Sequence, residues 1–206
     1  MTTKLPLKNG GELMDETQSK LDYNLLLQNA ITYYEREIKP YKYVYHCKFG
    51  LKLEFDITED QVCHLLLGSI DKCVPNRRNF IGKSEYNAIK NGNVKFSQIP
   101  KKNSKHAKNR IKHFNLLDKL LSSPKIIHYN QAITQKGNSI KFNNSLIKAN
   151  YLLIKEIHNN NTLHLFIREN KLNLEPVSFF VQKDHSYTEN QLSFEVEKCE
   201  KILKEK

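Results

Sequence analysis

The spacing of apolar residues changes period several times along the chain, and each change marks an element. From Leu21 to Ile38 the residues Leu21, Leu25, Ala30, Ile31 and Tyr34 form a helical apolar stripe, which Pro40 ends. Tyr41 to Ile57 switches to alternation: Tyr43 and Tyr45 flank Val44, while Leu51, Leu53 and Phe55 alternate with Lys52 and Glu54. Gly50 separates the two runs, so a β-hairpin is predicted. Thr58 can cap a following helix, and Glu59 and Asp60 favour its positive end. That helix carries the run Val62-Cys63-His64-Leu65-Leu66-Leu67 and stops at Gly68. A basic loop from Asp71 to Lys83 contains Arg77 and Arg78. A short helix from Ser84 to Lys90 ends at Gly92, and a longer one from Ser104 to Leu121 stops before Pro124.

Beyond Pro124 the pattern is extended. Ile126-Ile127 and Ile140-Lys141-Phe142 read as short strands. Tyr151 to Ile157 and Thr162 to Arg168 flank a hairpin turn at Asn159-Asn160-Asn161, and Leu174 to Val181 is the next strand. Leu192 to Lys206 is amphipathic and fits a strand or a helix. The expected class is α+β, with an N-terminal helix and β-hairpin and with helices packed on a C-terminal antiparallel meander. Residues 1–20 are expected to be a flexible arm, 21–190 a single domain and 191–206 an amphipathic tail.

Charge then narrows the partner. Across 206 residues Lys+Arg number 33 and Asp+Glu 22, a net +11. Such an excess favours a polyanion. The abundance of Asn, Ile, Tyr and Phe gives the lysines a second origin, in AT-rich codons. The densest basic stretch, Lys101 to Lys112, includes Lys101, Lys102, Lys105 and Lys108. The four cysteines, Cys47, Cys63, Cys73 and Cys199, match no zinc spacing and read as free thiols in a reducing, cytoplasmic setting. Met1 to Asp15 has no secretory h-region, and no apolar run approaches the roughly 20 residues of a membrane span. No nucleotide-binding loop, H-E-x-x-H or nucleophile elbow occurs, so neither a metal nor a cofactor is expected.

Three polar residues stand where polar residues are costly. His64 lies in an almost wholly apolar run, so at least part of it is expected to be buried. Ala107, Ile111, Phe114, Leu117 and Leu121 form one apolar arc at about 100° per residue, and Arg110 falls inside it. A guanidinium on a core face must be paired, must reach water, or must line a site. Ser178 sits between large apolar neighbours on a strand. For His64 and Ser178 the plain alternative is a satisfied core residue, and for Lys148, at a strand start, a solvated one.

These residues carry a resemblance. Cys63-His64-Leu65-Leu66-Leu67-Gly68-Ser69-Ile70 resembles the "HLLGI" helix end of the phage-borne nucleases named for Barnase, EndoU, the colicin ribonucleases and RelE, in their fourth phage subgroup. Asn109-Arg110-Ile111 with Phe114 and Leu117 resembles its "RI..f..l" helix, and Leu146 to Tyr151 its "ikADY" strand start. Leu165 to Arg168 and Pro176 to Phe180 are similar to its last two strands. Two positions depart from the pattern: three leucines follow His64 instead of two, and Asn150 stands where Asp is usual.

The resemblance implies a metal-independent endoribonuclease with an antiparallel sheet packed on helices. A base takes the ribose 2′-OH proton, the 2′-oxygen attacks phosphorus, cations stabilise the phosphorane and an acid protonates the 5′-oxygen, leaving a 2′,3′-cyclic phosphate. His64 suits proton transfer near neutrality. Arg110 and Lys148 suit the developing charge, and Ser178 a phosphate oxygen. Arg168, Tyr151 and the basic residues Lys101, Lys102, Lys105, Lys108, Arg77 and Arg78 are expected to bind the RNA (a tRNA or mRNA), with Tyr43 and Tyr45 as further stacking candidates. A phage or mobile-element toxin or defence protein is the setting implied, with an inhibitor or a host or phage protein as a second partner and no membrane. The alternatives are a nucleic-acid-binding module that lost its chemistry, which Asn150 favours, and a module that captures an acidic protein.

Overall fold

The computed structural model describes residues 21–68, 82–99, 101–133, 147–171, 173–183 and 186–205, with only the backbone of 101–103. The expected arm over 1–20, the basic loop with Arg77 and Arg78, Cys73 and the strand at Ile140 to Phe142 lie outside these residues.

Helix α1 (Tyr23–Tyr33) starts at Asp22, whose carboxylate accepts the Asn24 and Leu25 N–H groups, and continues through a wider turn over Tyr34–Ile38. The hairpin forms as strands β1 (Tyr41–Cys47) and β2 (Lys52–Asp56), turning through Phe49 and Gly50 at positive φ. Helix α2 (Glu59–Leu67) opens on a capping box between Thr58 and Gln61. Helix α3 is Lys83–Lys90.

The long helix expected from Ser104 to Leu121 is two. Helix α4 (Lys101–His113) gives way to a tighter turn over Phe114–Leu116 and then to α5 (Leu117–Ser122). The break buries Phe114 completely, and the Tyr33 hydroxyl accepts the Asp118 N–H at 3.0 Å.

The remaining strands are β3 (Lys125–His128), β4 (Tyr151–Ile157), β5 (Asn161–Glu169), β6 (Leu174–Gln182), β7 (Leu192–Phe194) and β8 (Val196–Leu203). The β4–β5 turn holds Asn159 and Asn160 at φ 62° and 56°, the left-handed pair that a tight hairpin turn requires. All pairings are antiparallel, in a five-stranded sheet ordered β6-β5-β4-β3-β7 and a three-stranded sheet ordered β2-β1-β8. The fold is therefore α+β. The C-terminal stretch is no appended tail: β7 and β8 are edge strands, one in each sheet. Their partners, β3 and β1, lie far back in the sequence, so local pattern could not choose between strand and helix.

The main core lies between the helices and the two sheets. Tyr43 and Tyr45 are buried in it, and the Tyr45 hydroxyl donates to the Leu121 carbonyl at 2.8 Å, so neither is a stacking surface. A second cluster of Ile127, Tyr129, Leu152, Ile154, Phe166 and Tyr187 covers the other face of the five-stranded sheet. Strand β6 is an edge of that sheet, and α2 and α4 pack against it. No helix among the described residues is long and apolar enough to cross a membrane.

Candidate nucleic-acid site

An edge strand leaves backbone groups without a ladder partner. On β6 two of these are taken by consecutive residues of α4. The Asn109 Oδ1 accepts the Val181 N–H at 3.1 Å, and the Arg110 Nε donates to the Phe179 carbonyl at 2.8 Å. These bonds clamp α4 to the sheet edge and fix the start of the guanidinium. Burial pushes the Arg110 pKa down, which is the cost of holding a cation away from water. Among the described residues no carboxylate pairs with it.

The other side of Arg110 meets α2. Gly68 ends that helix at φ 73°, ψ −154°, a conformation nearly confined to glycine, and its N–H donates to the His64 carbonyl at 2.7 Å. A Cβ at Gly68 would overlap the Arg110 Nη1 and stand 3.2 Å from its Cζ. Both the backbone conformation and the guanidinium in the side-chain space call for glycine here.

Around this contact opens a cavity of about 1010 Å³. His64 and Gly68 come from α2, and Lys105, His106, Asn109 and Arg110 from α4. Ile147 and Lys148 precede β4, and Arg168 is the penultimate residue of β5. Val177 to Gln182, apart from Phe179, form the edge on β6, and Tyr187 closes the apolar side. One part of the lining is thus cationic and the other apolar and aromatic. No described lining residue is Asp or Glu.

A β-bulge shapes the rim. Phe166 faces Ser178 and Ile167 faces Pro176, so Val177 has no opposite number on β5. Such bulges re-aim side chains, and here Val177 and Ser178 both line the cavity. Ser178 is only 8% exposed.

The structure brings His64, Arg110, Lys148, Ser178, Arg168 and Lys105 together. His64 differs from expectation: it is exposed. Val62, Cys63, Leu65, Leu66 and Leu67 are buried, but Asp60 and His64, one turn apart, lie on the side of α2 left uncovered by the core, and Gly68, a turn further on, is covered by Arg110. Arg168 opposes Glu175 across the strands, its Nε donating to Oε1 at 2.6 Å, so part of its charge is already matched.

Other candidates fall outside. Tyr151 is 9% exposed, packs its ring against His128 and Phe194 and lines no part of the cavity; burial, then the Glu169 charge, raises its hydroxyl pKa. Lys108 sits over the rings of Tyr23 and Phe96, at 4.9 and 5.7 Å from their centroids. The side chains of Lys101 and Lys102 are not described. Asn150 is also away from the cavity: its Oδ1 accepts the Glu169 N–H at 2.9 Å, a bond that Asp would make equally well. Its presence in place of Asp removes no group from the cavity lining.

Sequence reasoning missed His106, Gln182 and Tyr187, and gave Asn109 no role of its own in the site. His106 lies among lysines on the polar side of α4, where periodicity marks nothing unusual. A second cavity, between the β2 and β6 edges, has lining charges that neutralise one another, as in Lys42–Glu54 and Lys204–Asp56. Among the described residues no three His, Cys, Asp or Glu side chains are grouped to hold a metal.

Helices clamped on the edge of an antiparallel sheet, with a guanidinium that no described carboxylate pairs beside a cation-lined cavity, define the class as an α+β protein with its candidate site at the sheet edge. The model of the phage-Barnase-EndoU-ColicinE5/D-RelE like nuclease family 4 (PBECR4) matches residues 26–206, and the chain belongs to that nuclease family. No curated protein and no solved structure matches it.

Proposed function

We propose that the chain is a metal-independent endoribonuclease that cuts by attack of the ribose 2′-oxygen on the adjacent phosphate. One observation carries the reading: the Arg110 guanidinium, fixed through Nε and unpaired among the described residues, opens onto a cavity shared with His64, Lys148 and Ser178. A dianionic phosphorane would gain from a cation oriented before it forms. Arg110 would take the phosphate, Lys148 would add charge at the cavity mouth and Ser178 would donate to a phosphate oxygen. His64 would move a proton. Arg168 and Lys105 would hold flanking phosphates.

Among the described lining residues there is no carboxylate, which supports this chemistry over a metal-held water, because divalent cations in phosphoryl chemistry are bound largely through carboxylates. An imidazole beside a fixed cation suits attack by an oxygen that the substrate itself carries, the ribose 2′-OH, which favours RNA over DNA. The apolar wall of Ile147, Val177, Phe180 and Tyr187 suits an unstacked base and hence a single strand. The family's phage name supports a phage or mobile-element setting, as a toxin or defence protein.

The reading is tested by incubating the protein with matched single-stranded RNA and DNA in excess chelator. Cutting of RNA alone is expected, lost in Arg110→Ala and His64→Ala proteins that still melt cooperatively. Cutting of both, or only after Mg²⁺ is added, would reject it.

A further inference from the structure

The proposed chemistry needs two proton transfers, one from the 2′-oxygen and one to the 5′-oxygen, and His64 accounts for one. The cavity contains a second imidazole, His106 on α4. We propose that His106 is the partner proton-transfer group, so that the site works with one histidine from each of two crossing helices. This deepens the reading above and rests on it.

The placement follows from spacing. His64 is one turn before Gly68 on α2, and His106 is one turn before Arg110 on α4. Gly68 and Arg110 are the pair in contact where the helices meet. Side chains one turn apart on a helix lie roughly 5–6 Å apart at Cβ. Each histidine therefore stands one helical turn from a member of the Gly68–Arg110 contact, and the two come from different helices. An in-line displacement calls for a base and an acid on opposite sides of phosphorus, and groups carried by separate elements can supply that where two neighbours on one helix face cannot. Both histidines are exposed and both line the cavity, so substrate can reach each of them.

The rest of the lining offers few rivals. It holds no described carboxylate. Tyr187, the other aromatic with a transferable proton, packs against Phe166 and Phe180, with centroids at 5.3 and 5.4 Å. An imidazole is the side chain best matched to proton transfer near neutrality.

The step balances without a co-reactant. One neutral imidazole takes the 2′-OH proton while the 2′-oxygen forms a bond to phosphorus. The bond from phosphorus to the 5′-oxygen breaks, its electron pair stays on that oxygen, and the other imidazolium supplies the proton. Solvent then exchanges the two charge states.

The experiment compares wild type, His64→Ala and His106→Ala on two oligoribonucleotides. One has an ordinary linkage, and the other has sulfur in place of the scissile 5′-oxygen, a leaving group that departs without a proton. On the ordinary linkage each variant should be slowed about 100-fold or more, with an unchanged melting temperature because both side chains are exposed. The sulfur linkage should restore the rate in the variant lacking the acid and not in the other. The wild-type pH profile should be bell-shaped, and His106→Ala should lose one limb. Restoration in both variants or in neither, or a bell that survives His106→Ala, would overturn the assignment while leaving the ribonuclease reading intact. A wild-type protein that cuts neither substrate would overturn both.

Discussion

Replacing Gly68 with alanine tests the α2–α4 junction, and Gly50→Ala supplies its control. Both glycines have positive φ, 73° and 78°, so both substitutions strain the backbone. A Cβ at Gly50 meets nothing within 4 Å, whereas one at Gly68 overlaps the Arg110 guanidinium. At Gly50 the cost is the conformational penalty alone, about 1–2 kcal/mol. Gly68 sits in the more restricted region, worth about 1–3 kcal/mol. Moving Arg110 would also break its bond to the Phe179 carbonyl, a charge-assisted hydrogen bond worth about 1.5–3 kcal/mol. A central figure near 4 kcal/mol at Gly68, against about 1.5 at Gly50, corresponds to melting-temperature drops of roughly 12 °C and 5 °C in a chain of this size. The displaced guanidinium should also slow cleavage roughly 100-fold, with Gly50→Ala unaffected. Thermal unfolding by circular dichroism and cleavage of a fluorescent single-stranded RNA in chelator would measure the two effects. If Gly68→Ala melts with Gly50→Ala and cuts at the wild-type rate, then the glycine is not there for the arginine.

Three further outcomes are expected. Asn109→Ala should destabilise the protein by about 1–3 kcal/mol in urea unfolding, because it leaves the Val181 N–H without its acceptor at the sheet edge. Asn150→Asp should leave cleavage rate and melting temperature unchanged, since the side chain's hydrogen bond is to the Glu169 N–H, away from the cavity; a gain in rate would show that the residue acts on the chemistry. Glu54 is held at about 2, below its ordinary 4.5, by hydrogen bonds from Lys42 and then Lys52. Its contribution is present above the ordinary carboxylate value and is lost as pH falls from there towards 2, so Glu54→Gln should flatten the acid limb of the stability curve.

Much of the fold was legible because its elements are set by local periodicity. The hairpin at Tyr41 to Ile57, the cap at Thr58 and the turn at Asn159-Asn160 all follow from neighbouring residues. The break after His113 was not legible, because the apolar arc runs on through Phe114 and Leu117, and the hydroxyl beside the break comes from Tyr33 on another helix. The same divide runs through the site. Arg110 stood out because a charge within an apolar arc demands an explanation in the sequence itself. His64 stands out in the sequence for its apolar neighbours, yet its exposure depends on which side of α2 the core leaves open. His106 could not be singled out among lysines, since its place beside the cavity depends on how α4 is clamped to β6. Asn150 illustrates the reverse: a departure from the family pattern that reads as lost chemistry in the sequence has, in the structure, a side chain bonded to the Glu169 N–H.

If the substrate's own 2′-oxygen attacks a phosphate held by Arg110, the ends of the cut strand record it. Mass spectrometry of fragments from a defined single-stranded RNA, cut in excess EDTA, reads those ends. Wild-type protein should leave 2′,3′-cyclic phosphate and 5′-hydroxyl ends, and Arg110→Ala should leave the strand whole. Fragments bearing 5′-phosphate, or an Arg110→Ala protein that cuts as well as wild type, would contradict it.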